Sequence, residues 1–285
     1  MKEGNEGIVK LLLKRKDINP NTPDPIYGQV PLWLAARDRQ EGIVKLLLGR
    51  EDTNPNTADT WYGRTPLSCA AEGGYEGIAK LLLEREDIDL NTPDPEFGRT
   101  PLWRAVFGGY EGIVRLLLER EDTNPNTPAT KYSRTPLSLA AERGYEGIVK
   151  LLLDREDTNP NTADTRHGLT SLLWAVNGRH EGIVKLLLGR EEINPNTADT
   201  EYGRTPLWWA AGSGYEGIVK LLLEREDIDP NTADTKYGRK PLLLAVMGRH
   251  KGIVKLLLKR EDIDPNSTDP NYSQNIALVG GRGRG

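Results

Sequence analysis

Along this chain, stretches rich in Asp, Asn, Pro and Thr alternate with two short apolar-patterned segments, and the alternation returns every 35 residues. The string Glu-Gly-Ile-Val-Lys-Leu-Leu-Leu, or a near variant, begins at Glu6, Glu41, Glu76, Glu111, Glu146, Glu181, Glu216 and Lys251. A second landmark, Thr-Pro-Leu, begins at Thr65, Thr100, Thr135 and Thr205, with variants at Val30, Thr170 and Lys240. Both landmarks keep the same spacing, which is the signature of a repeat array.

One unit, residues 63–97, shows how the pattern dictates structure. The Thr65 hydroxyl can accept a free backbone N–H, and Pro66 falls at the first helical position, where its missing N–H costs nothing. A first helix is therefore predicted to start there. Leu67, Ala70 and Ala71 form its narrow apolar stripe, and Gly74 ends it. A second helix opens at Tyr75 and Glu76 with Ile78, Leu81 and Leu82 as its apolar face, and with Glu76–Lys80 and Lys80–Glu84 as i,i+4 pairs. The following segment, EDIDLNTPDPEFGR, reads as an extended loop with turns. Two short helices and a loop cannot bury their own apolar faces, so the units must stack into an all-α solenoid.

The motif Thr-Pro-Leu-x-x-Ala-Ala-x-x-Gly-Tyr/His, followed by Ile-Val-x-x-Leu-Leu, resembles the ankyrin repeat. The Trp-x-x-Leu-Gly-x-x-Tyr pattern of the tetratricopeptide repeat is missing. On this resemblance, residues 1–272 form the array: a partial unit 1–27, then 28–62, 63–97, 98–132, 133–167, 168–202, 203–237 and 238–272. Residues 273–285 are the degenerate start of a further unit and a Gly/Arg tail, read as a terminus rather than an RNA contact. Two departures stand out. The glycine usual after the second helix is replaced by Arg85-Glu86 and its equivalents, and the segment before Thr-Pro-Leu is longer, which predicts a longer projecting finger. The first unit lacks a Thr-Pro-Leu helix, so one apolar face of its Gly7–Leu13 segment is expected to be unpartnered.

Composition narrows the chemistry. A formal net charge of -4 argues against nucleic acid as the main partner. No apolar run is long enough to span a bilayer, and the first residues resemble neither a secretory nor a transit peptide. With the single cysteine Cys69, a cytoplasmic or nuclear protein that is not secreted is the expectation. His167, His180 and His250 take Tyr slots of the repeat, and no phosphate-cradling or zinc-binding motif occurs, so no catalytic residue, cofactor or metal is expected. Cys69 is read as a surface thiol.

Variation between units marks the candidate surface. After Pro-Leu, a first slot reads Trp33, Ser68, Trp103, Ser138, Leu173, Trp208, Leu243, and a second reads Leu34, Cys69, Arg104, Leu139, Trp174, Trp209, Leu244. A third, one helical turn on, reads Arg37, Glu72, Phe107, Glu142, Asn177, Gly212, Met247, and a finger slot reads Ile26, Trp61, Glu96, Lys131, Arg166, Glu201, Lys236. All six tryptophans occupy slots that vary. Tryptophan is favoured at binding hot spots, so Trp33, Trp61, Trp103, Arg104, Phe107, Trp174, Trp208, Trp209 and Met247 are the candidate partner-binding residues. For the first slot two readings stay open, recognition or packing against the next unit.

The resemblance to ankyrin arrays implies a protein partner bound on the concave face of first helices and finger tips, with no nucleic acid or membrane, by a chain monomeric in isolation. The near-identical units resemble the long ankyrin arrays of filamentous fungi, often carried behind a NACHT-type nucleotide-binding domain. The alternative is a structural spacer within such a protein.

Overall fold

The computed structural model describes residues 2–131, 133–265, 268–269 and 274–275, with side chains from Glu6 to Pro265 apart from Tyr132. The expected further unit and tail at 273–285 lie outside the described residues except for 274–275. Two compact units are present, Met1–Pro136 with Leu151–Thr158, and Leu137–Lys150 with Asn159–Gly285.

In the first unit α1 (Lys2–Leu13) precedes three helix pairs: α2 (Pro31–Arg37) with α3 (Glu41–Leu48), α4 (Pro66–Gly73) with α5 (Glu76–Leu83), and α6 (Pro101–Gly108) with α7 (Glu111–Leu118). The helices α8 (Pro136–Arg143) and α9 (Glu146–Leu153) follow. The second unit continues with α10 (Ser171–Asn177) and α11 (Glu181–Leu188), α12 (Pro206–Ser213) and α13 (Glu216–Leu223), and α14 (Pro241–Met247) and α15 (Lys251–Leu257). A short antiparallel pair, β1 (Thr268–Asp269) and β2 (Gln274–Asn275), comes last. Within each unit the first helices pack on one another, α2 on α4 on α6 and α10 on α12 on α14, and the second helices do the same.

The helix starts follow from the sequence. Thr65 Oγ1 accepts from Ser68 N at 3.1 Å, and Thr100 and Thr205 accept from Trp103 N and Trp208 N at 3.2 Å. Such a cap stabilises by about 1 kcal/mol, and it is missing where Val30 and Lys240 replace Thr. Gly74 is left-handed at φ 71°, as its terminating role requires. The stripe of Leu67, Ala70 and Ala71 is fully buried. In α5 the buried face is Ile78, Ala79 and Leu82, whereas Leu81 is only half-buried, which corrects the expected face by one position.

The expected i,i+4 pairs Glu76–Lys80 and Lys80–Glu84 do not form; Glu111 and Arg115, at 3.0 Å, make such a pair. Glutamates at the second-helix starts do other work. A Cβ at Gly77 would fall 2.5 Å from Glu41 Oε1, because the Glu41 carboxylate lies across the first turn of α5, one repeat further on. A carboxylate there faces the positive end of the helix dipole, and a side chain at Gly77 would require it to shift.

Arginine takes the place of the missing helix-ending glycine. Arg85 Nη1 donates to Leu48 O at 3.3 Å and Arg50 O at 3.5 Å, capping the end of α3, and its fork grips Asp87 at 2.8 and 2.7 Å. Arg120 does the same for Leu83 O at 3.1 Å, as does Arg225 for Leu188 O at 3.1 Å in the second unit. A parallel asparagine ladder ties the loops: Asn56 Nδ2 donates to Asp87 O at 2.7 Å while Asn56 Oδ1 accepts from Asp89 N at 2.8 Å. Asn196 repeats this with Asp227 and Asp229.

The unpartnered face of the first helix is present as expected, with Ile8 and Leu11 of α1 exposed.

Candidate interaction surface

The finger is a tight closed loop nucleated by one aspartate. Asp59 accepts from Trp61 N, Tyr62 N and Arg64 N at 3.0, 2.7 and 3.0 Å, while Asp59 N donates to Arg64 O at 3.0 Å. Gly63, at φ 60°, completes the turn. The slot residue between Asp and Gly is thereby pushed outward. In the first unit this exposes Ile26 and Trp61, at 74% and 64% relative accessibility, and Tyr27 packs edge-on against Trp61 at 5.7 Å. Neighbouring fingers are tied by Thr60 Oγ1 donating to Tyr27 O at 3.0 Å.

The structure divides the candidate residues. First-slot tryptophans turn toward the next repeat: Trp33 is 1% and Trp103 6% exposed, and Trp103 Nε1 donates to Arg134 O at 3.0 Å. Trp208 does likewise to Arg239 O at 2.9 Å and is half-buried. Of the two readings left open for this slot, packing is the one these side chains adopt. Arg104, 6% exposed, is likewise withdrawn: Nη1 pairs with Glu72 and Nη2 with Asp94, each at 2.8 Å, which answers the burial of its charge. Trp33, Trp103 and Arg104 therefore offer almost no surface. Cys69 is not a surface thiol either; it is buried, and burial pushes its pKa up to about 12.

The remaining candidates are accessible. Phe107, stacked on Trp103 at 5.4 Å, is 45% exposed, and Met247 43%. Trp174 and Trp209 are half-buried in the second slot, with Trp209 Nε1 reaching Asp199 Oδ2 at 3.3 Å. The paired tryptophans of the second unit do not share a direction: their rings meet at 77° with centroids 5.6 Å apart.

The arginine before Thr-Pro-Leu is not among the residues that sequence variation singles out. The Arg64 guanidinium lies 4.5 Å from the Tyr62 ring and Arg99 4.1 Å from Phe97, so these arginines line the surface between finger and first helix. Their one sequence signal is that Gln29 and Leu169 break the slot.

Among the described residues no cluster of three or more His, Cys, Asp or Glu could hold a metal, and no helix is long and apolar enough to cross a membrane.

The family model for ankyrin repeats (three copies) matches residues 1–94, 86–164, 102–199, 148–234 and 172–269. No curated protein matches the sequence. Among solved structures, the chain is similar to the ankyrin repeat domain of Bcl-3, described as a unique member of the IkappaB protein family. The TM-score is 0.70 at 22% identity, over 81% of this chain and 99% of that one. Helix pairs, capping threonines and family match agree: the chain belongs to the ankyrin-repeat family.

Proposed function

We propose that this chain is a non-catalytic recognition module that binds a protein partner through the concave face of first helices and finger tips. Ankyrin repeats in general mediate protein–protein interaction. The observation that carries the finer reading is that large apolar side chains occupy slots where the repeats differ in sequence and stay exposed there: Ile26 and Trp61 on fingers, Phe107 and Met247 on first helices. Isolated exposed apolar residues need no explanation, but their return to the same two variable slots, one on the finger and one on the first helix, does. A scaffold held by arginine and asparagine ladders loses little ordering entropy on binding.

The same ladders favour a second reading, a stiff spacer; its proposed setting, a larger NACHT-type receptor-like protein, rests on the resemblance of the near-identical repeats to fungal arrays. In that case slot residues touch nothing. Photo-crosslinking separates the two. Benzoylphenylalanine placed at Trp61, Phe107 or Met247 is expected to capture a protein from native lysate, whereas the same probe at the exposed second-helix positions Lys80 and Lys220 is not. Equal labelling from both sets of positions would remove the concave-face reading. The free chain is proposed to be a monomer, which light scattering tests.

A further inference from the structure

In the second unit, Arg204 and Lys236 stand over a floor of aromatic rings. The Arg204 guanidinium lies 4.1 Å from the Tyr202 ring, 4.7 Å from Trp208 and 5.0 Å from Trp209. Lys236 Nζ lies 4.9 Å from Tyr202 and 5.0 Å from Tyr237. Among the described residues neither cation makes an ion pair with a carboxylate within 4.0 Å. The nearby carboxylates are engaged within the fold. Glu201 bonds Tyr202 and pairs with His167 at 3.4 Å. Asp199 accepts from Tyr202 N at 2.7 Å, and Asp234 from the backbone of Lys236, Tyr237 and Arg239.

The first unit shows what is missing. There one equivalent arginine, Arg64, meets Glu72 Oε2 at 3.1 Å, an oxygen shared with Arg104 at 2.8 Å, and lies 3.5 Å from Asp59; Glu72 stands eight residues further on, in the third slot of the first helix, where the other equivalent, Arg99, has Phe107. Eight residues after Arg204 the chain has Gly212. A Cβ built there meets the Leu244 side chain at 3.5 Å, an ordinary contact, so the backbone has room for a side chain and none is supplied.

We propose that this patch takes an acidic segment of a protein partner, whose Asp or Glu carboxylate occupies, over Arg204, the place that Glu72 fills over Arg64. An apolar neighbour in that segment lies against half-buried Trp209. The proposal rests on the concave-face reading and names the chemistry of its partner. Cations held over aromatic rings also suit single-stranded nucleic acid. A net charge of -4 opposes a polyanion while tolerating one or two local carboxylates, which favours the acidic peptide.

The test is selection of phage-displayed random peptides on the immobilised full chain, followed by fluorescence anisotropy of the best peptide against the parent and variants. Selected peptides are expected to be enriched in Asp and Glu. Gly212→Glu, which supplies the carboxylate in cis, should weaken binding about tenfold or more, and Arg204→Gln likewise, as loss of a charge-assisted contact implies. Gly212→Gln should bind like the parent, with circular dichroism unchanged in all three. No recovered peptide, no acidic enrichment, equal binding by the Glu and Gln variants, or tighter binding of single-stranded polyuridine than of peptide would overturn the proposal. Trp209→Ala separates the two levels. Loss of peptide binding in Trp209→Ala without charge dependence leaves the face as a binding surface and removes only the acidic partner, whereas binding indifferent to Trp209, Arg204 and Gly212 alike removes the face as well.

Discussion

At the scale of single residues, the molecule spends its polar groups on closing turns. Asp59, buried at the base of its finger, satisfies three backbone N–H groups. Asp59→Ala strands those donors, and a loss of about 1–3 kcal/mol in urea-unfolding free energy is expected; an unchanged midpoint would mean water satisfies the finger equally well. Cys69 offers a second check. Its thiol, pushed up to about 12 by burial, should be inert to a disulfide reagent at mildly alkaline pH in the folded chain and react at once in urea. Because the folded thiol holds its proton above the unfolded value of 9.0, its contribution to stability is complete below that value and declines as pH rises toward about 12. Rapid labelling of the native protein would contradict the burial. These residues also show what the sequence could not reveal. Thr65 and Pro66 announce a helix start in any context, since capping is a local act. Whether Cys69 or Trp33 faces a partner or the next repeat depends on the direction of a side chain across a stacking interface, which periodicity does not encode. The first and second slots differ by one residue, about 100° around the helix.

At the scale of elements, the second helix ends by borrowing. With no left-handed glycine after α5, the turn at Glu84 stays right-handed, and the exposed carbonyls of one helix are met by the arginine of the next repeat. The absence of that glycine was visible in the sequence. Its remedy was not, because Arg120 acts on Leu83, 37 positions away. Likewise the finger was expected to be long, and its compaction around Asp59 became clear only from the backbone groups gathered there. Arg120→Met keeps the stem and removes the fork, and should cost about 1–2 kcal/mol by loss of charge-assisted bonds to carbonyls. Hydrogen exchange should show the loss as faster opening at the ends of both α5 and α7. Protection lost at α7 alone would mean that the arginine serves its own turn and not its neighbour's.

At the scale of the whole molecule, the ladders make stability depend on carboxylates of one kind. Asp52, Asp87, Asp157, Asp227 and Asp262 are each held below the usual carboxylate range by the arginine two residues before them. A depressed carboxylate stabilises the fold fully above its unfolded value and ceases to do so as pH falls through the folded one. The urea midpoint should therefore stay flat from neutral pH down to about 5 and decline below about 4. These pairs are near the surface, so salt should soften the effect; a midpoint that starts to fall near pH 6 would point to other groups. The proposed recognition belongs to this scale too, since its candidate residues come from several repeats, Trp61 and Phe107 in the first unit and Trp174 and Trp209 in the second. The most direct measurement is quantitative affinity capture from native lysate by the parent chain and by a variant with Trp61, Phe107, Trp174 and Trp209 changed to Ala, once circular dichroism shows equal helicity. A protein held by the parent and lost by the variant is the expected result, and retention of that protein by both would contradict recognition through this face.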